Sequence, residues 1–186
     1  NDIIQQNSEL LLKLINDVID LSSLEIGKMK FKFKECDIVA LCRNVIDMVE
    51  KIKQTQAEVR FSTSLSSLKL TTDSAQVLIN LLINATKFTT QGTITLELIK
   101  QTEDTALFSV SDTGCGISKE NQNKIFNRFE KLDENAQGTG LGLSICQLII
   151  EQLGGKIWID PGYDKGARFL FTHPIRQGQI KEEETR

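Results

Sequence analysis

Apolar residues recur with a helical period at the start of the chain and with a strand period farther on. Over residues 1–24, Ile4, Leu11 and Val18 repeat every seven positions, Leu14 and Leu21 take the complementary heptad positions, and Ile15 and Ile19 widen the stripe. This predicts one amphipathic helix with more apolar surface than a lone helix hides. It is expected either to pack on its own domain or to belong to a bundle whose other helices lie outside this sequence. Gly27 closes the helix, and "KMKFKFK" alternates Lys30, Lys32 and Lys34 with Met29, Phe31 and Phe33, the pattern of a half-buried strand whose lysines discourage edge pairing. Asp37 is placed to cap a second helix bearing Ile38, Leu41, Val45, Val49 and Ile52 on one face.

Two short strands are predicted at Val59–Thr63 and Lys69–Thr72, then a helix from Ser74 to Phe88. Alternating strands Thr93–Lys100 and Thr105–Ser111 follow, joined by the turn "QTED". Ser118 opens a short helix ending near Phe129. A glycine-bearing loop leads to a helix from Gly140 to Leu153, stopped by Gly154 and Gly155, and the strands "KIWI" and "ARFLF" flank the turn "PGYDKG". The last residues, "RQGQIKEEETR", form a charged tail. Without a regular βαβ rhythm, the hairpins predict an α+β two-layer sandwich: a mixed, mainly antiparallel sheet with helices on one face.

At 186 residues and 40% hydrophobic content the chain can bury a real core. Its formal charge of −3 gives no reason to expect nucleic acid as a partner, and no apolar run reaches membrane-spanning length, so no direct membrane contact is expected. Asn1 in place of an initiating methionine is what an excised fragment would show. Cys36, Cys42, Cys115 and Cys146 form no C-x-x-C pair and are expected to be reduced, packing thiols of a cytoplasmic protein.

Three constellations carry chemistry. In "DSAQVLINLLINATKFT", Asn80, Asn84 and Lys87 fall at i, i+4 and i+7 beside an apolar face made by Val77, Leu78, Leu81, Leu82, Ala85 and Phe88. A solvated face is the commoner origin of such a stripe. The Asn84 amide carbonyl could instead ligate a hard cation, with Lys87 one turn on neutralising a phosphate, and Mg2+ suits a site with few protein ligands. The stretch "SDTGCGIS" runs a hydrophobic strand into Asp112 and then Gly114 and Gly116, where a backbone without Cβ atoms admits close approach. In "GTGLGLSI", Gly138, Gly140 and Gly142 stand at a helix start, where bare amides and the helix dipole favour an anion such as a nucleotide phosphate. No G-K-[ST] follows, so this is not a Walker loop.

Together these motifs resemble those of the sensor histidine kinases, within the GHKL ATPase superfamily and its Bergerat nucleotide pocket: "NLLINATKF" at 80–88 the N box, "DTGCG" at 112–116 the first glycine box, "FNRF" at 126–129 the F box, and "GTGLG" at 138–142 the second glycine box. "LLLKLINDVIDLSSLEIGKM" also resembles the second helix and linker of the dimerisation and phosphotransfer domain. The resemblance implies four regions: 1–26 as that helix, 27–36 as a linker strand, 37–176 as the ATP-binding catalytic domain, and 177–186 as a tail. It implies that Asp112 accepts from the exocyclic amine of adenine, with Gly114 and Gly116 letting the nucleotide lie on the backbone. Asn84 would ligate the Mg2+ bridging the phosphates, Asn80 would orient a metal-bound water, and Lys87 would counter phosphate charge.

By the same resemblance Phe88, Ile117 and Leu143 line the pocket, with Thr139 and Leu141 completing the phosphate-side set of the second glycine box. Residues 117–140 form a lid anchored by Phe126 and Phe129, and Arg128 or Lys131 is available to the γ-phosphate. The implied function is positioning Mg-ATP for transfer of the γ-phosphoryl group to a histidine on a helix absent here, then to an aspartate of a response regulator receiver domain, in a homodimer formed through the helical hairpin. The intact protein could carry a membrane anchor elsewhere. The alternatives are an ATP-driven clamp of the chaperone, gyrase or mismatch-repair kind and a nucleotide-binding interaction module without kinase activity.

Three departures from the family pattern stand out. His173, the single histidine, lies in "FTHPI" on a predicted strand and is not expected to be a phosphoacceptor. Asp73 to Asn80 is about three residues short of the usual spacing, nearly one helical turn. Ala167 follows Gly166 where Ser or Thr is frequent, removing one polar contact near the adenine.

Overall fold

The computed structural model describes residues 33–131 and 139–175, together with residues 11, 12, 15, 16, 18, 19 and 22. Those seven are helical, and Leu11, Leu12, Ile15, Val18 and Ile19 are 44–65% exposed. The rest of the expected 1–24 helix, its stop at Gly27, most of the "KMKFKFK" strand, Gly138 and the tail lie outside the described residues.

Seven strands and four helices are described. β1 (Lys34–Asp37) and β3 (Lys69–Thr72) form a two-stranded antiparallel sheet. β2 (Glu58–Thr63), β4 (Thr93–Thr102), β5 (Thr105–Asp112), β7 (Arg168–Pro174) and β6 (Ile157–Ile159), in that spatial order, form the main sheet. Among the described strands only β2 and β4 run parallel, so the sheet is mixed and mainly antiparallel, as the hairpin pattern predicts. Helices α1 (Ile38–Ile52), α2 (Ala75–Phe88) and α4 (Gly142–Gln152) lie side by side on one face: α1 over β2, α2 over β4 and β5, α4 over β6 and β7. The short α3 (Lys119–Gln122) follows β5.

Register explains the core. Alternation points Leu96, Val110 and Phe169 from three neighbouring strands into the helix layer, and two residues on Leu98, Phe108 and Phe171 repeat the row. All are buried, and the Phe108 and Phe171 rings stack with centroids 4.6 Å apart. One step past Val110 in the other direction, opposite Ile94, the same face of β5 carries Asp112. A carboxylate thus occupies a core register position.

Asp37 caps α1 as expected, its Oδ1 accepting from the Val39 amide at 3.0 Å and also from the Leu68 amide at 3.2 Å. The buried stripe of α1 is broader than predicted, adding Val39, Cys42 and Ile46, whereas Leu41 is half-buried and Ile52 is 54% exposed. α2 starts at Ala75 with no side-chain cap, and the buried Ser74 hydroxyl has no partner among the described residues. The predicted helix from Ser118 to Phe129 is only α3 followed by turns, with Phe129 in the left-handed region at φ 60°. α4 begins two residues later than expected because Gly140, at φ 73°, still belongs to the loop.

His173 is 3% exposed on β7 and joins the two sheets. Its Nδ1 faces the Pro174 carbonyl at 2.8 Å and so carries the proton, leaving Nε2 to accept from the Thr72 hydroxyl at 2.8 Å.

Candidate functional site

A cleft of about 470 Å³ opens between α2, the segment after β5, and the start of α4. That volume suits a small-molecule ligand. Asp112 lines it and is 5% exposed. Its Oδ1 accepts from the Gly114 amide at 2.9 Å and the Ala167 amide at 3.2 Å. With both amides on one oxygen, Oδ2 is the acceptor left for a ligand. Burial pushes the carboxyl above its usual range, while the Gly114 and Ala167 amides and the nearby Thr89 hydroxyl pull it back.

The helix stripe read from the sequence lines the same cleft. Asn80, Asn84, Lys87 and Phe88 all line the cleft, with Ile79 and Ile83 between them. Asn80 lies against the thiol of Cys146 on α4, whose pKa burial pushes up to about 12. This ties the Asn80 side chain to the helix that follows the second glycine run. Among the described residues no cluster of three His, Cys, Asp or Glu exists. A cation held by the Asn84 carbonyl and by ligand oxygens, rather than by a carboxylate cage, fits that donor set.

The glycines divide by role. A Cβ on Gly142 would meet nothing within 4 Å, so its bareness serves no packing need and leaves its amide open to the cleft. A Cβ on Gly140 would come 2.8 Å from the Phe129 backbone, and the Phe129 amide donates to the Gly140 carbonyl at 2.9 Å, so the two ends of the 129–140 loop are clasped together. Gly114 does not line the cleft: a Cβ there would lie 2.2 Å from the Phe88 carbonyl oxygen, so close backbone packing on α2 explains this glycine. Gly116, at φ 72°, does line it and also packs on Gly166.

Of the other sequence candidates, Ile117, Thr139 and Leu143 line the cleft. Leu141 is fully buried in the core, and Arg128 is not among the lining residues, whereas Lys131 is. Phe126 packs edge-on against Phe169 at 6.3 Å and anchors the segment, but the Phe129 ring is 62% exposed and anchors through its backbone instead. Sequence reading passed over Phe169, Asn121 and Thr89. Phe169 reaches the cleft only through the β5–β7 register. Ser118 and Asn121 line it from the start of α3. No helix of the described residues is long and apolar enough to cross a membrane.

The family model described as histidine kinase-, DNA gyrase B-, and HSP90-like ATPase matches residues 70–177. Circadian input-output histidine kinase CikA of Synechococcus elongatus is 35% identical over 183 residues, 92% of this chain and 24% of that protein. Sensor histidine kinase WalK of Bacillus subtilis is 31% identical over 185 residues, 94% of this chain and 30% of that protein. The chain therefore spans less than a third of either relative. Among solved structures, full-length ShkA in complex with AMPPNP superposes with a TM-score of 0.80 at 27% identity, over 95% of this chain and 38% of that one. The nucleotide-free catalytic domain of the histidine kinase ThkA does so with a TM-score of 0.67 at 35% identity, over 79% of this chain and 99% of that one.

Proposed function

The chain belongs to the family of histidine kinase-, DNA gyrase B- and HSP90-like ATPases, and from that membership we propose that residues 37–176 are the ATP-binding catalytic domain of a sensor histidine kinase. The observation that carries the proposal is the pairing, across one cleft, of a buried carboxylate with a stripe of Asn80, Asn84 and Lys87. A carboxylate reads an amine, and an amide-and-lysine wall receives a metal-bound polyphosphate.

Asp112 accepts from the adenine amine through Oδ2, while the Gly114 and Ala167 amides hold Oδ1 still. Ile79, Ile83, Phe88 and Phe169 give the base an apolar slot. Asn84 would hold Mg2+ through its amide oxygen, and Asn80 would orient a water bound to it. The ion, when bound, supplies charge neutralisation across the phosphates. Lys87, and Lys131 from the loop, face the terminal phosphates. Positioning and electrostatics then account for catalysis, with the nucleophile supplied from outside this domain. That nucleophile is a histidine on a helix beyond this sequence, since His173 is locked between two sheets and does not line the cleft. The phosphoryl group passes on to an aspartate of a receiver domain. Residues 1–26 are the second helix of a dimerising hairpin and 27–36 its linker.

Mixing the chain with a separate fragment bearing the acceptor helix and γ-labelled ATP tests the proposal. Label on a histidine of the fragment is expected. Nucleotide-dependent dimer closure without transfer would favour the ATP-driven clamp.

A further inference from the structure

Thr89, the residue that ends α2, is wholly buried, and its hydroxyl has no hydrogen-bond partner among the described residues. Buried hydroxyls are rarely left unpaired, and one that is calls for an explanation. Everything around it is fixed. The Thr55 hydroxyl donates to the Thr89 and Thr90 carbonyls, the latter at 2.8 Å, and the Ala57 amide donates back to Thr55 Oγ1 at 3.2 Å. On the other side the Cys115 amide donates to the Phe88 carbonyl at 3.3 Å. Gly114 lies directly over the hydroxyl, since a Cβ there would sit 2.8 Å from Thr89 Oγ1. The hydroxyl is thus held beside Asp112, because the same Gly114 that packs against it donates its amide to Asp112 Oδ1 at 2.9 Å, yet it completes no hydrogen bond of its own among the described residues.

Resting on the assignment of Asp112 as the adenine acceptor, we infer that Thr89 is a positioning residue for base selectivity, its unspent hydroxyl donating to the Asp112 carboxylate when a purine nucleotide fills the cleft. The charge state of Asp112 decides which purine fits. An ionised carboxylate accepts from the amine of adenine and repels the carbonyl oxygen that guanine places at the same position, whereas a protonated carboxyl can donate to that oxygen. The titratable groups sharing the cleft are Lys87 from α2, Cys115 from the glycine run, and Glu130 and Lys131 from the loop. On β7 the neighbouring Arg168 is turned to Asp160, 3.5 Å away. Burial raises the Asp112 carboxyl, and the Gly114 and Ala167 amides together with the nearby Thr89 hydroxyl hold it down. Thr89 is the one donor among the three that is a side chain, and so the one a substitution can remove.

The test is titration calorimetry of Thr89→Val and Thr89→Ser with non-hydrolysable ATP and GTP analogues between pH 5 and 8, beside thermal melts of the nucleotide-free proteins. Thr89→Val is expected to weaken the ATP analogue about fivefold at pH 7. The pH at which binding is half lost should move upward, and the preference for ATP over GTP should fall. Thr89→Ser should restore all three. Because the hydroxyl is unpaired before the nucleotide arrives, nucleotide-free Thr89→Val should melt at or above the temperature of the unmodified chain. An unmoved pH midpoint and purine preference in Thr89→Val, a serine variant as impaired as the valine one, or a lowered melting temperature in nucleotide-free Thr89→Val would each overturn the inference. If the unmodified chain binds no ATP analogue at all, the nucleotide assignment itself falls, a result distinct from normal binding with an unaltered Thr89→Val profile.

Discussion

Replacing Asp112 by asparagine perturbs one atom of the cleft and keeps the fold. Asparagine retains an oxygen where Oδ1 accepts from the Gly114 and Ala167 amides, so both main-chain donors at this 5% exposed position stay satisfied. What changes is Oδ2, replaced by an amino group that points donors at the donor of adenine. A hydrogen bond to a charged group contributes about 1.5–3 kcal/mol, so affinity for an ATP analogue should fall at least about tenfold and toward about a hundredfold. Titration calorimetry at pH 7 with excess magnesium measures it.

The acid behaviour gives a second reading of the same atom. Burial holds the Asp112 pKa in the folded chain above its unfolded value. Its contribution to stability is therefore fully present below the unfolded carboxylate pKa and is lost as pH rises through the folded one. Asp112→Asn removes that slope, and the nucleotide-free variant should be at least as stable as the unmodified chain at pH 7. Nucleotide binding runs the other way, strengthening as pH rises through the folded pKa, and this dependence should vanish in the variant. An unchanged affinity, or a pH dependence of binding that survives the substitution, refutes Asp112 as the base-reading group.

Asn84→Ala should abolish the magnesium dependence of nucleotide affinity, checked by comparing titrations with magnesium and with chelator; a metal effect that persists places the ligand elsewhere. Gly142→Ala should leave the melting temperature unchanged, because its Cβ meets nothing, yet weaken triphosphate more than adenosine binding. Gly114→Ala should do the opposite, lowering stability by about 1–3 kcal/mol through overpacking on the Phe88 carbonyl, as read by denaturant melts. Phe129→Ser should leave the melting temperature of the isolated chain nearly unchanged, because the ring is 62% exposed, whereas Phe126→Ser should lower it by removing the contact with Phe169.

Local patterning by itself determined most of the elements. The stripe Asn80, Asn84, Lys87 follows from helical periodicity, the capping by Asp37 from its place before an apolar face, and the sheet class from alternating hairpin strands. These are short-range consequences of side-chain spacing, legible without knowing what packs on what. Tertiary structure alone decided that Asp112 continues a core row opposite Ile94, that Ala167 supplies its second amide from 55 residues away, and that Phe169 reaches the cleft. It also separated glycines that look alike in sequence, Gly114 required by a neighbouring carbonyl and Gly142 by nothing but open space. Thr89 marks the boundary most clearly: an ordinary residue after a helix end in the sequence, and a buried, unpaired donor beside a buried carboxylate once strand register and helix docking bring the two together. The physical reason is that spacing along one element is set by backbone geometry, whereas burial and unmet hydrogen bonds are properties of surfaces that meet only after folding.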